Sequence, residues 1–181
     1  SIGITGSPST ASIGNLFNSG SIYSATGNAI VLNVGTQVTT ITNTGSIDSG
    51  VSGKYSIESR DASITNLNNS YSALTFSGTL PTNYNIIIDS SSTYGKLIYT
   101  SKPPYLIGNM AFAIAPGSSV INNHLYQNVL TGLVGTLSGS TITGTGFSIT
   151  GATGFNLSYR NCTFAPEKSG FGQIQNLSYT K

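Results

Sequence analysis

A short pattern that recurs three times constrains the fold of this chain more than any other feature. Two small residues, an isoleucine, another small residue and an asparagine occur in the segments 11–16, 39–44 and 62–67. Each copy is followed by a turn that contains glycine or asparagine, and then by a further strand-like segment. A unit of about 20–30 residues cannot bury its own apolar face, so such copies stack on one another. The repeat therefore predicts a β-solenoid.

Stacking gives each repeated position a shared role. The isoleucines are predicted to point inward and to form a stacking core, which consists of Ile13, Ile41 and Ile64. The asparagines two residues later are predicted to form a ladder of side-chain amides at the bend, made of Asn15, Asn43 and Asn66.

The remainder of the chain is also typical of short strands. Apolar and polar residues alternate in many segments, and the β-branched and aromatic residues are spread along the chain. Leu125, Val129 and Leu133 are spaced by four, which is compatible with a helix. We expect an all-β fold, a β-solenoid or β-sandwich-like chain of short strands with at most one short helix near 120–133. A repeat-containing part at 1–78 and a β-rich part at 79–181 are expected, or one continuous domain.

Composition and charge exclude several classes of function. Ser, Thr, Asn and Gly make up about half of the chain, only 7% of the residues are charged, and the net charge is +2. No basic face is therefore available for nucleic acid. No apolar run approaches the ~18 residues of a spanning helix, so membrane insertion is not expected.

The residues that usually carry catalysis or bind metals are scarce. His124 is the single histidine, and its sequence neighbours include no carboxylate that could orient it. Glu58 and Asp61 are flanked by Lys54 and Arg60, which favours a solvated ion-pair cluster. Cys162 is the single cysteine and lies far from His124 in sequence. We therefore expect no enzyme activity, no cofactor and no metal site.

Two segments carry a resemblance to a known family. Residues 38–47 and 74–88 resemble the passenger region of bacterial autotransporter adhesins, and the similarity extends more weakly over residues 10–135. The resemblance implies a right-handed parallel β-helix that is exported to the cell surface. The stretch after Ser138 is too short for the outer-membrane barrel of that family, so a passenger without its barrel is expected.

We expect a secreted, non-enzymatic structural or adhesive protein of a bacterial surface. Its expected partners are copies of itself, joined into a filament by strand addition, with surface glycans or other cells as further candidates. The candidate end strands lie in residues 1–13 and 170–179 because both segments are uncharged. Their predicted self-association residues are Ile2, Ile4, Ile13, Phe171, Ile174, Leu177 and Tyr179.

Two other functions remain open at this point. A carbohydrate-binding or carbohydrate-cleaving β-helix could use the ten tyrosines as stacking faces, but the chain has no tryptophan. Cleavage would require two facing carboxylates. An ice-binding or tail-fibre solenoid would need regular Thr-x-Thr ladders, of which the sequence shows only fragments.

Overall fold

The structure, a computed structural model, describes residues 2–4, 11–100, 105–106, 110–134, 142–144, 147–150 and 154–159. All regular secondary structure in these residues is β-strand. In chain order the strands are β1 (Ile2–Ile4), β2 (Ser12–Asn18), β3 (Ser21–Ser24), β4 (Ile30–Leu32), β5 (Gln37–Asn43), β6 (Ser46–Ser49), β7 (Ile57–Ser59), β8 (Ser63–Asn69), β9 (Leu74–Gly78), β10 (Asn83–Ile86), β11 (Leu97–Tyr99), β12 (Tyr105–Leu106), β13 (Ala111–Ile114), β14 (His124–Thr131), β15 (Leu133–Val134), β16 (Ile142–Gly144), β17 (Phe147–Thr150) and β18 (Gly154–Tyr159).

In the described residues these strands form four sheets, and the chain passes from one sheet to another as it coils. Sheet A has the order β1-β4-β7-β9-β11-β14-β18-β17-β16, and sheet B has the order β13-β10-β8-β5-β2. Sheet C pairs β3 with β6, and a fourth sheet pairs β12 with β15. Strands β1, β2 and β3 lie in sheets A, B and C, and strands β4, β5 and β6 lie in the same three sheets in the same order. Each group of three strands is therefore one turn of a solenoid. The fold is an all-β solenoid of about four turns, which confirms the predicted fold class.

Strand direction distinguishes the two ends of the solenoid. The pairings in sheets B and C are parallel, as are those in sheet A from β1 to β14. Beyond β14, strands β18, β17 and β16 add to sheet A in antiparallel directions. Both main sheets continue across residue 78, since β9 pairs with β11 and β8 pairs with β10.

The core is built from columns of inward side chains that occupy equivalent positions in successive turns. In sheet B the strand register aligns Leu16, Ile41, Leu67, Tyr84 and Phe112. In sheet A it aligns Ile2, Ile30, Ile57, Phe76 and Tyr99. From the second turn onward these side chains are buried. Each contributes roughly 1.5–3 kcal/mol relative to an exposed position.

The register corrects the predicted stacking core. Ile13 and Ile64 do share a column, but Val38 lies between them, and Ile41 stacks between Leu16 and Leu67. Each of these strands turns two apolar side chains inward three positions apart, as the matching burial patterns of β5 and β8 show. The sequence match placed Ile41 in the wrong one of these two columns.

The short helix allowed for residues 120–133 is also corrected, because His124–Thr131 form strand β14. The register of β14 against β18 shifts between Tyr126 and Leu130, and Asn128 has a φ of 55°. Between these two positions β14 advances four residues and β18 only two, so the β-bulge adds two residues to β14. The buried positions Tyr126, Val129 and Leu130 consequently depart from simple alternation. The spacing by four of Leu125, Val129 and Leu133 therefore does not mark one face, because Val129 and Leu133 are buried whereas Leu125 is 46% exposed.

Truncation of a central core side chain tests the column in sheet B. We expect Ile41→Ala to lower the free energy of unfolding by about 2–5 kcal/mol, because a buried side chain is lost between two stacked neighbours. Thr39→Ala on the same strand removes an exposed side chain and should change stability by less than about 0.5 kcal/mol. Chemical denaturation followed by circular dichroism measures both, and equal effects would contradict the assigned column.

Candidate interaction surface at the open end of the solenoid

The first turn leaves three strands at the edges of their sheets. Strands β1, β2 and β3 are the terminal members of sheets A, B and C at this end. Among the described residues, no strand pairs with their outer edges. Backbone N–H and C=O groups on such an edge are a template for a further strand. We call this surface the open end.

Among the described residues, no side chain covers the apolar core at the open end. The inward side chains of the first turn are only partly buried, namely those of Ile13, Leu16 and Ile22. Their neighbours in the second turn are buried, namely Val38, Ile41 and Ile47. Ile2 is 40% exposed, whereas the next residue in its column, Ile30, is 0% exposed. A further layer of apolar side chains would therefore be stabilised here.

The strands of the open end contain no charged side chain. No charged side chain precedes Asp48 in the sequence, so the first turn is neutral. Soluble proteins usually protect edge strands with lysine, proline or inward-pointing charges. Charge repulsion therefore does not oppose the approach of another neutral strand to β1, β2 or β3.

Three of the predicted self-association residues lie at this surface. Ile2 and Ile4 belong to β1, and Ile13 belongs to β2, where their strands pair with β4 and β5 of the same chain. The other four predicted residues lie outside the described residues, namely Phe171, Ile174, Leu177 and Tyr179.

A buried ladder of asparagine amides runs from the open end into the molecule. The Asn18 Nδ2 atom donates to Asn43 Oδ1 at 2.7 Å, and Asn43 Nδ2 donates to Asn69 Oδ1 at 3.0 Å. Asn69 Nδ2 donates in turn to the Tyr71 carbonyl at 2.8 Å. The turns approach closely beside the ladder, where a Cβ atom on Gly45 would collide with the Gly20 carbonyl. Each amide therefore satisfies buried polar groups and ties one turn to the next.

This ladder corrects the predicted one, which contained Asn15, Asn43 and Asn66. Asn43 is a member, but Asn15 and Asn66 lie opposite Thr40 at a different position. The true members, Asn18 and Asn69, were missed because the repeat was matched on the first isoleucine of each copy. The segments 18–22 and 43–47 both read Asn, Ser or Thr, Gly, Ser, Ile, and this signal gives the observed spacing.

At the open end the last amide of the ladder belongs to Asn18, and its Oδ1 atom is a hydrogen-bond acceptor. Asn69 Oδ1 accepts from both Asn43 Nδ2 and the Tyr71 N–H, each at 3.0 Å. Asn18 Oδ1 accepts from the Gly20 N–H at 3.3 Å. No described turn precedes Asn18, although the residue is only 7% exposed. A carbonyl lone pair of the ladder therefore faces the open end.

Tyr84 lies beside the inner end of the ladder. Its hydroxyl is 3.4 Å from Asn69 Nδ2, and the side chain is fully buried. Burial raises the pKa of Tyr84 above its usual value, while the hydrogen bond from Asn69 acts in the opposite direction. The pKa of Tyr71 is raised as well, first by burial and then by the nearby charge of Asp48.

Charged and titratable groups elsewhere in the described residues make separate local contacts. Glu58 pairs with Arg60 at 2.7 Å, which confirms an ion pair in the predicted cluster. His124 donates from Nε2 to the Ser91 carbonyl at 3.1 Å. No group of three or more His, Cys, Asp or Glu residues in this part of the chain could hold a metal ion.

One shallow groove lies at the corner between sheets A and B and has a volume of about 370 Å³. Its lining is mostly neutral and consists of Asp61, Ala62, Ser63, Ile64, Thr79, Leu80 and Thr82. A glycosidase requires two carboxylates on opposite sides of the bond that is cleaved. This groove supplies one, from Asp61.

Comparisons with known protein families, with curated proteins and with solved structures found no match to this chain. Within the described ranges no helix could cross a membrane. The molecule is established as a β-solenoid, and this architecture is compatible with a passenger β-helix.

Removal of the central amide tests the observed ladder. We expect Asn43→Ala to lower the free energy of unfolding by about 1–3 kcal/mol, because Asn18 Nδ2 and Asn69 Oδ1 each lose a buried partner. Asn15→Ala changes an exposed asparagine and should have an effect below about 0.5 kcal/mol. Urea unfolding of both variants measures the difference. A larger loss for Asn15→Ala would support the ladder first predicted.

The buried phenol of Tyr84 should make the protein sensitive to alkali. Since its folded pKa is raised above the unfolded value of 10.0, the neutral form favours folding. This contribution is complete below about pH 10 and is lost as the pH rises toward the folded pKa. Thermal unfolding between pH 8 and pH 12 should show a weaker alkaline loss of stability for Tyr84→Phe than for the wild type. Parallel curves would contradict this role of Tyr84.

Proposed function

We propose that this chain is a non-enzymatic, extracellular structural or adhesive protein of a bacterial surface. Copies associate by adding strands at the open end, and repeated addition forms a filament. The observation that carries this proposal is the first turn. In the part of the chain that the structure describes, its three edge strands and partly buried apolar side chains have no cover, and its strands carry no charged side chain.

Both components of a stable strand addition are available at the open end. Backbone groups on the outer edge of β2 offer hydrogen bonds to an incoming strand, and this kind of pairing supplies affinity. The partly buried Ile13, Leu16 and Ile22 offer apolar area to its side chains. An incoming strand with inward apolar residues would extend the columns already present in the core.

The location at a bacterial surface rests on the resemblance of residues 38–47 and 74–88 to autotransporter passengers. The solenoid architecture supports this assignment, because those passengers are expected to be parallel β-helices. A polysaccharide-cleaving enzyme is the less supported alternative, because the groove beside Asp61 supplies a single carboxylate.

Charges placed on the edge strands should block association. Gly3 and Gly14 lie in β1 and β2, both are exposed, and a Cβ atom on either would meet nothing within 4 Å. We expect the double variant Gly3→Lys/Gly14→Lys to be monomeric with an unchanged melting temperature. The wild type should form concentration-dependent species in sedimentation velocity and regular filaments in negative-stain electron microscopy.

A matched control separates the position of the charges from their number. Ser91→Lys/Gln127→Lys adds the same charge at exposed residues away from the first turn, and it should assemble like the wild type. The proposal fails if the wild type stays monomeric up to millimolar concentration, or if the Gly3→Lys/Gly14→Lys variant assembles normally.

A further inference from the structure

The outer face of sheet B carries a line of side chains that crosses four turns. The strand register places Phe17 of β2 next to Thr42 of β5, followed by Asn68 of β8 and Asn85 of β10. We call these four residues the outer line. Neighbouring strands are about 4.8 Å apart, so the line extends for roughly 15 Å.

Hydrogen bonds along the outer line fix its side chains. Asn85 Nδ2 donates to Asn68 Oδ1 at 2.7 Å, and Asn68 Nδ2 donates to Thr42 Oγ1 at 3.1 Å. A parallel line on the same face is fixed in the same way, since Asn83 Nδ2 donates to Asn66 Oδ1 at 2.9 Å. The orientation of these side chains is therefore set before any ligand arrives, which lowers the entropy cost of binding.

The amides of the outer line retain hydrogen-bonding capacity that faces solvent. An asparagine side chain has two N–H donors, and Asn68 and Asn85 each use one of theirs within the line. The Thr42 hydroxyl accepts a hydrogen bond from Asn68 and keeps its own proton to donate. Donors and acceptors thus recur at the strand spacing, in a form suited to a ligand with repeated hydroxyl groups.

An aromatic ring lies at the first position of the outer line. Phe17 is 67% exposed, so most of its side chain is open to a ligand. The face of an aromatic ring carries negative partial charge and attracts C–H groups that are polarised positively. The C–H face of a pyranose ring has this character. Phe17 followed by ordered amides therefore combines the two kinds of contact that sugars make.

The charge of this surface selects the class of ligand. None of the residues of the outer line, nor Asn66 and Asn83 beside it, is charged. Anionic polysaccharides and nucleic acids would find no counter-charge on it. We propose that the outer line binds an extended, neutral polysaccharide. Phe17 stacks on one sugar ring, and the side chains of Thr42, Asn68 and Asn85 form hydrogen bonds with hydroxyl groups of the following sugars.

Affinity electrophoresis of the full chain tests this site. The gels contain hydroxyethyl cellulose, glucomannan, galactan or dextran as neutral probes, and alginate as the anionic probe. We expect at least one neutral probe to retard the protein and alginate to leave it unaffected. Phe17→Ala and the double variant Asn68→Ala/Asn85→Ala should each raise the dissociation constant at least tenfold.

Tyr23→Ala is the matched control for the aromatic substitution. Tyr23 is 57% exposed on the neighbouring strand β3 of sheet C, and its removal should leave retardation unchanged. Phe17→Ala removes an exposed side chain, so it remains informative if the double asparagine variant does not fold. Circular dichroism melting confirms the fold of each variant.

Four outcomes would overturn the assignment. The first is that no neutral probe retards the protein, and the second is that alginate alone retards it. The third is that Phe17→Ala is retarded as strongly as the wild type. The fourth is that the outer-line variants lose self-association but still bind the glycan. The last result would assign this face to contacts between copies. The monomeric variant Gly3→Lys/Gly14→Lys should still bind the neutral probe, so failure of strand addition and failure of glycan binding are separate results.

Discussion

The register between successive turns is the constraint on which the rest of the structure depends. Parallel pairing aligns Leu16, Ile41 and Leu67 in the core, and the same pairing aligns Asn18, Asn43 and Asn69 at the bend. A slip of one residue in this pairing would move the inward side chains of a strand to its opposite face. The buried amides oppose such a slip, because each one must meet its counterpart in the next turn to be satisfied. Apolar stacking and amide bonding therefore specify the same alignment.

The class of fold could be predicted from the sequence, whereas the alignment of its turns could not. Repeated copies too short to fold alone lead directly to a solenoid, and this conclusion does not depend on which residues pair. The alignment of the turns does depend on which residues pair. Because each copy has two apolar residues three positions apart, Ile41 had two equally good partners in the neighbouring copies. The spacing by four of Leu125, Val129 and Leu133 was ambiguous in a similar way, since it joins one exposed side chain to two buried ones across the bulge in β14. In both cases the buried positions depart from the two-residue alternation of an ideal strand.

The candidate surfaces were only partly visible in the sequence for a related reason. Ile2, Ile4 and Ile13 were identified from their lack of neighbouring charge, which requires no three-dimensional information. The outer line could not be identified, because Phe17, Thr42, Asn68 and Asn85 become neighbours only through the register. The spacing between its members is 25, 26 and 17 residues, and the last interval departs from the repeat. A surface assembled across unequal turns leaves no periodic signal in the chain.

The asparagine ladder has a direction. Both amide–amide bonds in it run from the nitrogen of one turn to the oxygen of the next. The backbone N–H groups of Gly20 and Tyr71 hold the oxygens of Asn18 and Asn69 in place. The side-chain dipoles consequently add along the solenoid axis, with their negative pole at Asn18. Two open ends brought face to face would oppose two negative poles, and neither Asn18 oxygen would gain an amide donor from the other copy. An assembly that continues the ladder must therefore be polar, with distinguishable ends and a defined direction of growth.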